Sequence, residues 1–350
     1  MGVRYPCGSQ YCAAGGMGRV LSLGHERKRV SMVLIQWIEL LTEAQMLGFA
    51  FISMYVGCSI YVQHRGRVRH ATLSKMIKDH GNLFSPINCL FYLFSKVSNT
   101  PYLKVNDFSE LKVIQENWMV IRNEALTLNE NNRIDNASHF SDYPYHSFYK
   151  KGWRKFGLKW YGTTFNSANR LCPSTVSLIE SVPSIKAAMF TVLPAGKRLN
   201  SHRDPYAGSL RYQLGLHTPN SAECHIDVDG KKYHWQDGEA VMFDETYLHY
   251  IENNTEKDRL VLMLDIRRPV HFFFMNWLDS AFSYFIMGAA ASQNTEEDRV
   301  SFINKTLALL SPIERFFKRL KAFNRTVYYG FKYGAFVLLI YALIFGLKAS

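Results

Sequence analysis

His202-Arg203-Asp204, followed further along the chain by His249 and then Arg259, is the set of residues best able to do chemistry. Two imidazoles and a carboxylate in the order His-x-Asp…His are the ligands of a 2-His-1-carboxylate facial triad, which holds non-haem Fe(II) and leaves positions open for substrates. An arginine soon after the second histidine could supply the cation that a dicarboxylic co-substrate needs. Together these residues read as an oxygenase site. Each also has a plainer role when taken alone. His202 and Asp204 could be a chance pair before an Asp-Pro turn, His249 a hydrogen-bonded core histidine, and Arg259 an ion-pair partner of Asp244 or Asp265. Their order and combination favour the metal site.

Such residues can meet only if the backbone brings them together. From about residue 186 the chain alternates with a period of two in AAMFTVL, GSLRYQLGL, ECHIDV, KKYHW, EAVMF, YLHYIEN and RLVLMLDI, with turn residues between. Short strands at this density predict an antiparallel sandwich or barrel. Alternate side chains of a strand share a face. Arg259, Val261, Met263 and Asp265 therefore lie together, as do Arg211 and Gln213, and Thr191 lies with Met189 and Leu193. RLVLMLDI is substantially apolar on both faces, which predicts cover on both sides and a buried Arg259. Upstream, FSELKVIQENWMVIRNEAL places Leu111, Ile114, Trp118 and Ile121 at spacings of three and four, as an amphipathic helix with Ser109 as N-cap.

The ends have a different character. Residues 46–62, MLGFAFISMYVGCSIYV, carry no charge and reach the lower limit of a membrane span, about 17 residues. Arg65, Arg67, Arg69, Lys75 and Lys78 follow, which by the positive-inside rule keeps that flank in the cytoplasm. A second apolar run, Phe336 to Leu347, comes after Arg315, Lys318, Arg319, Lys321, Arg325 and Lys332, and is expected to span the membrane or lie within its interface. Before Met46 the Gly-rich opening and Arg4, Arg19, Arg27, Lys28 and Arg29 fit that orientation poorly, and translation starting at Met32 or Met46 is one explanation. The formal net charge is +12, from 41 Lys plus Arg against 29 Asp plus Glu. Such a field favours anionic partners, and with apolar ends the expected partner is anionic lipid rather than nucleic acid. The six cysteines form no CxxC pair and are expected to be reduced.

The stretch from about Pro183 to Pro269, with HRDPYAGSLRYQLGL, DGEAVMFDETYLHYIENN and DRLVLMLDIRRP, resembles the catalytic domain of the aspartyl/asparaginyl beta-hydroxylase family of Fe(II)- and 2-oxoglutarate-dependent dioxygenases. YVQHRGRVRH, SPINCLFYLFSKVSNTPYL, KGWRKFGLKWYG and the apolar C-terminal end extend the likeness, over about 46–348, to the membrane-bound lipid A hydroxylases of Gram-negative bacteria. The resemblance implies a mainly β core folded as a double-stranded β-helix, jelly-roll or cupin-like, with flanking helices and membrane helices at both ends. It implies iron held by His202, Asp204 and His249, and 2-oxoglutarate held by Arg259 with Arg211 and Thr191 nearby. Gln213 stands where the protein-hydroxylating branch has a His, and Asp204 where that branch has a Gly. The cofactor would be Fe(II), with 2-oxoglutarate and O2 as co-substrates. The implied reaction is hydroxylation of C2 of a secondary acyl chain of lipid A, or another anionic glycolipid, at the bacterial inner membrane. Hydroxylation of Asp or Asn in a protein and a non-catalytic membrane scaffold are the alternatives. The expected organisation is an extension over 1–45, a transmembrane helix over 46–63, a cytoplasmic helical and loop region over 64–150, the dioxygenase domain over 151–310, and a basic amphipathic segment with a membrane helix over 311–350. The aromatic segment Trp153 to Tyr161 could receive an acyl chain or dock on the membrane, or it could pack a surface loop onto the barrel.

Overall fold

The computed structural model describes residues 43–134, 146–288, 293–295, 297–298 and 311–345. The expected extension over 1–45, with Cys7 and Cys12, falls almost wholly outside them. Among the described residues two units are distinguished, one within 54–324 and a smaller one of residues 43–53 with 325–345. The helices that matter below are α1 (Glu43–His64), α2 (Leu73–Ile77), α3 (Ser85–Leu93), α4 (Lys112–Glu116), α5 (Trp118–Glu130), α6 (His146–Tyr149), α7 (Asn166–Leu171), α8 (Pro173–Glu180), α9 (Phe273–Phe282), α10 (Ser311–Phe323) and α11 (Arg325–Phe345). The strands are β1 (Tyr102–Leu103), β2 (Arg154–Trp160), β3 (Thr163–Thr164), β4 (Ile185–Leu193), β5 (Arg198–His202), β6 (Ser209–His217), β7 (Cys224–Val228), β8 (Lys231–His234), β9 (Ala240–Phe243), β10 (His249–Asn253) and β11 (Arg259–Arg267).

The strands form two antiparallel sheets, ordered β1-β9-β6-β11-β4-β2-β3 and β5-β10-β7-β8. From β4 to β11 the chain passes back and forth between them, which is the winding of a double-stranded β-helix. Every residue of β4 is buried, and β11 is buried at nearly all positions. Both runs lie mid-sheet, with α8 against β4 and α5 against β6 on the outer face. A sheet covered on both faces selects apolar, β-branched runs over clean alternation, which explains the composition of RLVLMLDI.

Three expectations need correction. The helix expected over FSELKVIQENWMVIRNEAL is broken. Ser109–Leu111 is a 3-10 turn without side-chain capping, α4 ends at Asn117, and α5 starts afresh. Asn117 breaks it because its side-chain amide turns back to donate to the Val113 carbonyl at 2.8 Å. Residues 154–160 are the buried strand β2 rather than a surface loop. Membrane helices at both ends are not found either. α11 is a helix, but among the described residues only Gln45–His64 is long and apolar enough to cross a bilayer. Arg325, Lys332 and four tyrosines, Tyr328, Tyr329, Tyr333 and Tyr341, dilute the apolar character of α11.

The segment after α1 is bound into the β domain by buried charge. Arg65 lies between the Tyr92 and Tyr247 rings, 3.8 and 3.9 Å from their centroids. Its guanidinium donates to Asp244 at 2.7 Å and to Thr246 at 2.7 Å, and Arg268 reaches the same Asp244 oxygen at 2.8 Å. Burial raises the Asp244 carboxyl, but Arg268 and Arg65 more than offset it and hold the group well below the carboxylate range. Asp244 thus binds its proton more weakly folded than unfolded. Its stabilisation is complete above the ordinary value of 3.8 and is lost as pH falls below it. Asp244→Asn leaves two buried guanidinium groups short of charge and is expected to cost about 3 kcal/mol or more. In thermal unfolding in detergent micelles, the variant should melt lower than the parent at neutral pH, and the gap should narrow as pH falls below about 4.

Candidate active site

β5 and β10 are antiparallel neighbours in which His202 and His249 are register partners, and the pairing slips just after His249. Side chains of paired residues point to the same face, so the rings converge, with centroids 4.3 Å apart. The chain leaves β5 at His202, and the Asp204 amide donates to the Glu245 carbonyl at 3.0 Å. That contact turns the Asp204 carboxylate back to 3.5 Å from His202 Nε2. Ligand atoms of His202, Asp204 and His249 all lie within 4.8 Å of one another. Nδ1 of His202 is 2.8 Å from the Asn200 carbonyl and Nδ1 of His249 is 3.0 Å from the Tyr247 carbonyl. A carbonyl only accepts, so each Nδ1 carries the hydrogen and each Nε2 keeps its lone pair for a metal.

The electrostatics suit the same use. Burial, followed by the neighbouring His202, pushes His249 down to about 3, so its ring is neutral at physiological pH. Burial tends to raise Asp204, but Arg211 and then the two histidines outweigh it and hold the carboxyl at about 2. Arg211 pairs with Asp204 at 2.9 Å, with Asp265 at 2.9 Å, and with Glu245. Three carboxylates around one guanidinium leave an excess of negative charge. Burial, reinforced by Asp265 and Asp204, holds Glu245 well above its ordinary range. Two imidazoles with Nε2 turned to a common point and an ionised carboxylate make a donor set that fits Fe(II).

Arg259 meets this centre from the other sheet. In the register, Thr191 pairs with Val261, Gln213 with Met263 and Arg211 with Asp265, so the three strands' faces join into one continuous surface. Arg259 is 0% exposed, stacks over the Trp235 ring at 4.4 Å, and reaches Thr191 at 3.5 Å. Trp235 is in turn held by Gln213 Oε1 at 3.1 Å. Nε and Nη1 of Arg259 have no hydrogen-bond partner. Neither ion-pair alternative applies, since Asp265 is taken by Arg211 and Asp244 by Arg65 and Arg268. Burial lowers Arg259 to about 10, which leaves it charged at neutral pH. A buried cation with open donors is costly unless an anion meets it, and the unpaired atoms fit the far carboxylate of a diacid.

Thr191, Arg211, Gln213 and Arg259 line one cavity of about 700 Å³ with His202, Asp204 and His249. Its remaining wall is largely apolar, from Phe148, Trp153, Trp160, Leu199, Ile226 and Met263. The Phe148 ring is 5.0 Å from that of His202. Sequence reasoning missed Glu245, Trp235 and Phe148. Trp235 was within reach, because it ends an alternating run. Glu245 and Phe148 lie in loop and short-helix segments that carry no period.

Residues 115–269, which hold β2 to β11, match the family model described as Aspartyl/Asparaginyl beta-hydroxylase. An ornithine lipid ester-linked acyl 2-hydroxylase of Rhizobium tropici is 38% identical over 128 residues, 36% of this chain and 46% of that protein. The aspartyl/asparaginyl beta-hydroxylase of Homo sapiens is 25% identical over 173 residues, 47% of this chain and 22% of that protein. Aspartate beta-hydroxylase domain-containing protein 2 of Homo sapiens is 27% identical over 188 residues, 51% of this chain and 50% of that protein. The chain thus spans half or less of the length of these relatives. The strands wound as a double-stranded β-helix and the His-Asp-His triad both lie within the residues that match the aspartyl/asparaginyl beta-hydroxylase family model.

Proposed function

We propose that this chain is a hydroxylase of lipid acyl chains that uses Fe(II), 2-oxoglutarate and O2, and that its substrate position is C2 of a secondary acyl chain of lipid A at the inner membrane. The observation behind the proposal is the unpaired, fully buried Arg259 facing the same apolar cavity as the triad. His202, Asp204 and His249 would hold the iron. Bound iron and 2-oxoglutarate together would supply the oxidising power that side chains lack for an unactivated C–H bond. Arg259, aligned by Trp235 and Thr191, receives the distal carboxylate of the co-substrate in a charge-assisted contact. Arg211 keeps Asp204 ionised and oriented. The aromatic and aliphatic wall excludes water and accepts a hydrocarbon chain.

A lipid substrate is supported by that wall, by the apolar span of α1 and by the acyl hydroxylase name of the Rhizobium tropici relative. The cationic run after α1 supports a catalytic domain on the cytoplasmic side. By the resemblance, Asp204 stands where the protein-hydroxylating branch has Gly, which favours a lipid over a protein target.

Arg259→Met is expected to raise the 2-oxoglutarate concentration for half-maximal turnover by about 30-fold or more, the equivalent of ~2 kcal/mol or more for an orphaned carboxylate. Iron affinity should be unchanged, and without co-substrate the variant should melt higher because a buried charge is gone. An unaltered 2-oxoglutarate requirement would remove Arg259 from this role. For the substrate, membrane lipids from cells expressing the parent chain should contain a lipid A species heavier by one oxygen, placed at acyl C2 by fragmentation. Cells expressing His249→Ala should lack it. Oxygen found instead on Asp or Asn side chains of a protein would refute the lipid assignment.

A further inference from the structure

Helix α9 is built inside out. Its buried positions are Met275, Asp279 and Phe282. Asp279 accepts from Tyr206 at 2.7 Å and pairs with Lys186 and, at 3.2 Å, with Arg267, so the helix turns its charge inward. Outward it presents Phe273, 86% exposed, and Trp277, 72% exposed, and the π-turn after it (Ser283–Met287) adds Tyr284 and Phe285. A helix facing water has the opposite arrangement. The apolar surface continues onto α3, where Leu93 is 72% exposed. Phe94, next in the chain, packs edge-on against Phe272 at 5.2 Å and Phe274 at 5.6 Å. A patch of this extent marks a contact with another surface.

The occupant is identified by α1. This helix, apolar enough to cross a bilayer, is tied to the same side of the domain part-way along its length. Tyr55 donates to the Asn82 carbonyl at 2.7 Å, and the Ser59 and Ser85 hydroxyls are 2.9 Å apart. With a rise of about 1.5 Å per residue, Tyr55 stands about 14 Å along the helix from His64. A bilayer that takes up α1 as far as Ser59, short of the buried Val62 and Gln63, therefore also meets residues 82–85 and the start of α3. Exposed Lys96 and His271 flank the Phe94–Phe272 contact through the bonds Lys96 N to Pro269 O, 2.9 Å, and His271 N to Phe94 O, 2.9 Å. A lysine bordering an apolar patch matches anionic headgroups.

We propose that α3, α9 and the His64-proximal half of α1 form a single membrane-inserted face, and that its occupant is the lipid bilayer. Phe84, Ile286 and Met287, which line the catalytic cavity, belong to the segments bordering that face, so the cavity opens toward lipid. Insertion does not depend on the assigned substrate. Its consequence, that an acyl chain reaches the triad without crossing water, rests on the lipid reading.

The full chain would be reconstituted in phosphatidylethanolamine–phosphatidylglycerol vesicles containing a phospholipid with a photoactivatable diazirine in its acyl chain, and labelled peptides mapped by mass spectrometry. Label is expected in 83–94 and 272–286 as well as in α1. In the double variant Phe273→Asp, Trp277→Asp the label in 272–286 should be lost while that in α1 persists, which shows that the chain is still inserted. Label confined to α1 in the parent would overturn the proposal, as would cross-links between two copies through residues 272–286. Labelling requires no turnover, so a chain that labels as expected but oxidises no lipid keeps the inserted face and loses only the substrate assignment.

Discussion

A guanidinium sealed in the β domain without a counter-ion is the constraint on which the site depends. The two aspartates that the sequence offered as its ion-pair partners, Asp244 and Asp265, are each claimed by other arginines. Buried charges in folded proteins are normally paired. Here Trp235 and Thr191 partly compensate, and the remaining donors stay open toward the cavity. The fold tolerates this because β11 is packed on both faces by apolar neighbours that stabilise the sheet independently. Two arginines that look alike on paper thus have opposite tasks. Arg211 is saturated by carboxylates, Asp204 among them, whereas Nε and Nη1 of Arg259 keep no partner.

How much of this could be read from the chain alone depended on periodicity. β4, β6 and β11 lie mid-sheet and advertise themselves through apolar runs, and strand parity grouped Arg259 with Asp265, Arg211 with Gln213, and Thr191 with Met189, strand by strand, while the joining of these faces came only from the register. β5, which delivers His202, was not legible as a strand. Its sequence RLNSH is polar and largely exposed, and it is extended because β10 pairs with it rather than from any local preference. The interruption at Asn117 came from a side-chain hydrogen bond that competes with the helix, which no count of apolar spacings registers. At the C-terminal end, apolar residues were legible but the tyrosines and cations among them were underweighted.

The partners of the ligand-bearing loops lie far upstream and carry no motif. Arg203, between two candidate ligands, is buried and donates to Gln63 at 2.9 Å and to Asp79 at 3.1 Å, and Asp79 also pairs with His70. Arg65 does the same for the turn before His249 through Asp244 and Thr246. Both loops that carry iron-site residues are therefore backed by residues that follow the apolar helix directly.

That backing separates the region of family likeness from the region that folds. An excised fragment limited to 115–269 would retain every candidate ligand and both sheets except β1, yet it would lose Gln63, Arg65, Asp79 and Tyr92. Arg203 and Asp244 would then be buried charges stripped of partners on one side, directly behind the two histidines. The segment that follows the apolar helix α1 is thus a structural half of the candidate site, and it could not be replaced without rebuilding the floor beneath the two histidines.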